Sequence, residues 1–72
     1  MQGKALREWR HGNDWTLDQA AKILGTTQTT VYRWESGRHR IPQGINILVM
    51  LLTDDKINIR KVQSFLFKRL DE

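Results

Sequence analysis

Apolar residues recur along the chain at helical spacing. The first group, Ala5, Leu6 and Trp9, lies on one side of a segment from Gln2 to His11, with Arg7, Glu8 and Arg10 around it. Gly12-Asn13-Asp14 breaks the pattern. Leu17, Ala20, Ala21 and Leu24 then follow at i, i+3, i+4 and i+7, which predicts a short amphipathic helix over about 16–24. Thr16 is its expected N-cap and Gln19 completes a capping box. The small alanines in the middle let another helix approach closely. Gly25 is suited to ending that helix in the left-handed conformation.

Thr27 can cap a third helix, over about 28–36. Its apolar stripe is narrow: Val31 and Trp34, with Thr30 half in. Gln28, Thr29, Tyr32 and Arg33 are left facing outward, and Gly37 ends the segment. The basic loop Arg38-His39-Arg40 leads to Pro42, which is expected in the first turn of a fourth helix running to Leu52. That helix is mostly apolar and is expected to be the most buried. Thr53-Asp54-Asp55 is a break or a new cap. Beyond it, Ile59, Val62, Leu66 and Leu70 have helical spacing, with Asn58 as a possible cap. The alternation of Ile57 and Ile59 leaves room for a short extended piece before that helix. The pattern as a whole predicts an all-α fold, a compact bundle of about five helices. Residues 1–53 form one unit, and 54–72 form a helical segment for packing or dimerisation.

Composition narrows the function. At 72 residues, there is little room for both a core and a deep substrate cleft. The chain has no cysteine, which removes disulfides, thiolate metal sites and cysteine nucleophiles together. His11 and His39 fall in different loops, Ser36 and Ser64 have no motif around them, and no glycine-rich phosphate loop occurs. Neither an enzyme nor a metal or cofactor site is expected. The longest apolar stretch, Ile45–Leu52 with Asn46 inside it, is far short of the roughly 20 residues a membrane span needs. The first ten residues hold four charges and no apolar signal region, so a cytoplasmic location is expected. Lys and Arg outnumber Asp and Glu by 12 to 8, for a formal charge of +4, which leans toward a polyanionic partner.

The third segment carries the sharper signal. A structural helix has little use for Gln, Thr, Tyr and Arg together on its exposed side. A helix in the DNA major groove does, since Gln can bond adenine and Arg guanine bidentately. The run from Trp15 to Gly25, followed by Thr26-Thr27-Gln28-Thr29-Thr30-Val31-Tyr32-Arg33-Trp34-Glu35-Ser36-Gly37, resembles the Cro/CI-type (XRE) helix-turn-helix. That family includes phage repressors, bacterial regulators and antitoxins. Gly25-Thr26-Thr27-Gln28 is similar to the turn of lambdoid repressors, and Trp34-Glu35-Ser36-Gly37 to the usual end of the recognition helix. Leu6, Arg7 and Arg10 match the family's first helix, and Pro42 with the apolar segment after it matches the fourth.

The resemblance implies a lambda-repressor-like bundle in which the third helix enters the major groove of double-stranded DNA. By position, Gln28, Thr29 and Arg33 would read bases. Thr16, Thr27, Ser36, Arg38, Arg40 and Gln43 would hold phosphates. Arg10 would pair with Glu35. It further implies a dimeric, sequence-specific repressor on an inverted-repeat operator in a bacterial cytoplasm or nucleoid, with autoregulation of a phage operon as one use of such a protein. The alternative is an antitoxin-like module whose C-terminal helix binds a partner protein. Three departures stand out: Leu17 replaces a common Gln, Asp14 replaces a common Gly, and the segment after Thr53 does not match the family's short fifth helix. Phe65, Leu66 and Phe67 cannot all be buried by one helical face, and they are the expected dimerisation residues. Trp9, Trp15 and Trp34 have core spacing rather than that of base-stacking residues.

Overall fold

The computed structural model describes residues 1–54 and 58–70, with the backbone alone at 68–70. Among the described residues, five helices follow one another: α1 (Gly3–Gly12), α2 (Leu17–Leu24), α3 (Gln28–Glu35), α4 (Gln43–Thr53) and α5 (Ile59–Leu70). No strand occurs among the described residues. The fold is therefore the all-α bundle that the periodicity predicts. The expectations placed on Asp55 and Ile57 and on the side chain of Leu70 lie outside the described residues.

Local chemistry sets the helix ends. At α2, the Thr16 hydroxyl accepts from the Gln19 N–H (3.1 Å) and the Thr16 N–H donates to Gln19 Oε1 (3.0 Å), a complete capping box. Gly25 closes the helix at φ 72°, and its N–H and that of Thr26 return to the carbonyls of Lys22 and Ala21. Thr27 caps α3 through the Thr30 N–H.

α1 ends differently from the expected break. Gly12 stays helical, Asn13 is the C-cap, and the left-handed residue is Asp14 at φ 58°. The left-handed turn is thus made without glycine, because a short aspartate tolerates this region better than most side chains. At α4, Pro42 is the N-cap rather than part of the first turn. Its ψ of 149° is extended, so the helix opens one residue later, at Gln43.

The core is centred on α2, which packs against both α3 and α5. Ala20, Ala21, Ile23 and Leu24 are all buried, together with Leu6, Trp15, Val31, Trp34, Ile41, Val49 and Leu52. Ala5, assigned by spacing to the inner side of α1, is exposed instead. The rings of Trp9 and Trp15 meet edge to face at 5.1 Å. Trp15 Nε1 donates to Gln63 Oε1 (3.1 Å), tying α5 to the turn before α2. Ile59, Val62, Leu66 and Phe67 add partly buried surface from α5.

The largest departure from expectation is α4. Despite its apolar sequence, only Val49 and Leu52 are buried, and Ile45 and Leu48 are half-buried. Ile47, Met50 and Leu51 are exposed. α4 lies at the edge of the bundle with packing on one side only, while the centre is occupied by α2. The mean hydropathy of a helix does not reveal which of these two places it takes.

Candidate nucleic-acid interface

The candidate surface starts from the geometry of α3. At about 100° per residue, Gln28, Thr29, Tyr32, Arg33 and Ser36 fall within an arc of about 140°, and Val31, Trp34 and Glu35 fall outside it. The structure matches this division. The first five are exposed and the last three buried. The narrow apolar stripe therefore anchors the helix while its polar face projects outward.

What orients α3 is an ion pair under it. The Glu35 carboxylate accepts from Arg10 Nε (2.7 Å) and Nη2 (3.0 Å), a two-pronged geometry, and Arg7 Nε lies 3.5 Å from Oε1. The Glu35 side chain is only 2% exposed and that of Arg10 11%. Arg10 Nη1 also donates to the Trp15 carbonyl (3.0 Å). One guanidinium thus joins α1 to the end of α3 and to the turn that starts α2. Its hydrogen bond to Glu35 raises the Arg10 pKa above its ordinary value, against the opposing effect of burial, so the group stays charged. Such a pair contributes little net stability against an apolar replacement, but removing one partner leaves a buried charge uncompensated.

Gly3 completes the junction. A Cβ there would collide with the backbone carbonyls of Trp34 and Glu35, so only glycine lets α1 sit this close to α3. Sequence reasoning missed this residue, since a glycine near a chain terminus gives no signal of close approach. It also missed Ile41, which is 6% exposed and pins the basic loop to the core.

The remaining candidate residues surround the α3 face in the chain. Thr16 and Thr27 are exposed at the N-termini of α2 and α3, their hydroxyl oxygens already accepting cap hydrogen bonds. The Thr27 and Thr30 hydroxyls also share a hydrogen bond of 2.9 Å. Ser36 Oγ donates to the Arg33 carbonyl (3.3 Å), and the same oxygen accepts the N–H groups of Arg38 (2.9 Å) and His39 (3.2 Å). The loop is therefore folded back on the end of α3, with Arg38, His39 and Arg40 exposed. Gln43 opens α4 and is also exposed. Leu17, the departure from the common Gln, is half-buried against the core. Among the three C-terminal candidates, Phe65 is exposed, while Leu66 and Phe67 pack partly against the core. Among the described residues, no cluster of metal-ligating side chains occurs and no helix is long and apolar enough to cross a membrane.

Two short helices joined through Gly25-Thr26-Thr27, with the second presenting a polar face, define the helix-turn-helix class of DNA-binding proteins. A family model described as a helix-turn-helix domain matches residues 3–46, more than half of the chain, and the protein belongs to that family. No curated protein and no solved structure matches the chain. The match stops within α4, so the exposed apolar residues Ile47, Met50, Leu51 and Phe65 all lie beyond it.

Proposed function

We propose that the protein is a sequence-specific transcriptional regulator of the Cro/CI (XRE) type, a dimeric repressor that occupies an inverted-repeat operator. The observation that carries this reading is the exposed polar arc of α3, backed by the Arg10–Glu35 pair. In the major groove, Gln28 would bond an adenine edge and Arg33 a guanine edge, with the Thr29 methyl against thymine. Thr16 and Thr27 would hold phosphates at helix N-termini, where the backbone dipoles favour anions. Ser36, Arg38, Arg40 and Gln43 would grip the backbone on the other side. Residues 1–53 supply the reading unit and 54–72 the segment toward the second copy, with Phe65, Leu66 and Phe67 as the pairing residues. Two copies would address half-sites about 34 Å apart. Repression would follow from occupancy of the operator, acting on the protein's own phage or bacterial operon.

The test is selection from a pool of randomised duplex DNA at two salt concentrations. An enriched inverted repeat that survives the higher salt is the expected result. Binding that enriches no sequence and vanishes with salt would reduce the interaction to phosphate attraction and overturn the reading.

A further inference from the structure

Tyr32 is the one residue on the outward arc of α3 with no part in the contacts proposed above. Val31 and Trp34 already anchor the helix, so the Tyr32 side chain, 49% exposed, is not needed to hold it in place. Within residues 3–46, the stretch matched by the family model, it is the only large apolar side chain left exposed. Its phenol has no hydrogen-bond partner and its ring no aromatic neighbour among the described residues. A lone exposed apolar residue is ordinary on a protein surface. What distinguishes this one is its place.

At about 100° per residue, Tyr32 stands about 40° round the helix from Gln28 and about 60° from Thr29, between the two and one turn further on. Side chains on a helix lean toward its N-terminus, so the Tyr32 ring covers the surface between Gln28 and Thr29. Those two belong to the N-terminal part of α3, the part that meets base edges in this docking mode. A groove that receives them receives the ring as well. Gln and Arg find hydrogen-bonding atoms on base edges, but the face of a ring does not. The 5-methyl group of thymine is the apolar feature that base edges display in the major groove, and cytosine lacks it.

We infer that Tyr32 is a specificity-determining residue: its ring packs against the 5-methyl group of a thymine beside the base that Gln28 addresses. The inference rests on α3 as the reading helix and adds to it an apolar contact. The ring, rather than the hydroxyl, carries the discrimination.

The test uses the selected operator and a series in which each thymine in turn is replaced by deoxyuridine. That change removes the methyl group and keeps every hydrogen-bonding atom. In the parent protein, deoxyuridine at one thymine per half-site, other than the one Thr29 contacts, lowers affinity about fourfold, the loss expected for one buried methyl group. Tyr32→Ala binds the unmodified operator weaker by about fourfold or more and is indifferent to deoxyuridine at that position. Its helical circular dichroism and melting temperature match the parent's, and Tyr32→Phe binds as the parent does. A parent indifferent to deoxyuridine at every thymine overturns the inference. So does methyl sensitivity that is lost in Thr29→Ala and kept in Tyr32→Ala, since it then belongs to Thr29 alone. Tyr32→Phe losing as much as Tyr32→Ala moves the effect to the hydroxyl and overturns the ring contact. In each of these cases Arg33→Ala still reports separately on α3 as the reading helix. A selection that yields no operator overturns that reading and the inference together.

Discussion

The α2–α3 pair and the α4–α5 pair use apolar residues in opposite ways. In α2 and α3, small or narrow apolar stripes are almost wholly buried: Ala20, Ala21, Ile23 and Leu24 from one helix, Val31 and Trp34 from the other. Their outer faces are left polar. In α4 and α5, large side chains such as Met50, Leu51 and Phe65 remain exposed although the helices are richer in them. The difference shows that burial in a small bundle depends on position more than on hydropathy. A central helix needs few apolar residues, and small ones serve best because neighbours approach from two sides. An edge helix has one packed side, and apolar residues on its other side stay in contact with water.

Substitutions at the junction under α3 should break this contrast most severely. Arg10→Ala leaves the Glu35 carboxylate buried without its main partner and should cost about 3–5 kcal/mol. A chain of this size has roughly 4–11 kcal/mol in all, so the variant should be largely unfolded in mild urea. The pair contributes no pH dependence near neutrality. Because the Arg10 pKa is raised, its stabilisation is present below the ordinary guanidinium value and is lost only as pH rises through the raised one. Urea midpoints across neutral pH should therefore show no step assignable to Arg10.

Smaller effects sharpen the comparison. Leu6→Ala, at a fully buried site, should cost about 2–5 kcal/mol by thermal or urea denaturation. Gly3→Ala should cost about 1–3 kcal/mol, since the added methyl forces α1 away from the end of α3. Met50→Ala should stay within about 0.5 kcal/mol in a dilute, monomeric sample, because its side chain is mostly in water there. A loss at Met50 matching that at Leu6 would show that α4 is no edge helix.

Much of the first half of the chain was legible in the sequence because its signals are local. The Thr16-to-Gln19 box, the glycine at position 25 and the Thr27 cap each act within one helical turn. The Arg10–Glu35 pair came from resemblance rather than spacing, and the structure brings those two side chains together across 25 positions. What was not legible depends on contacts between distant segments. Ala5 faces solvent although its spacing fits the inner side. Gly3 has its role only because α3 passes over it, and Gln63 only because Trp15 reaches it. The exposure of α4 follows from which helix took the centre, a choice made by the whole bundle. The left-handed Asp14 was not legible either, since that conformation is more readily expected of a glycine than of an aspartate.

The central claim is that α3 reads bases while the following loop only holds the backbone. Its most direct test compares Arg33→Ala with Arg40→Ala on a selected operator and its single-base variants, across salt. Arg33→Ala should lose about 1–3 kcal/mol of affinity and relax discrimination at one base position. Arg40→Ala should weaken all sequences alike and lower the salt slope by about one. If Arg33→Ala bound every sequence as tightly and as selectively as the parent, the assignment of α3 as the reading helix would be contradicted.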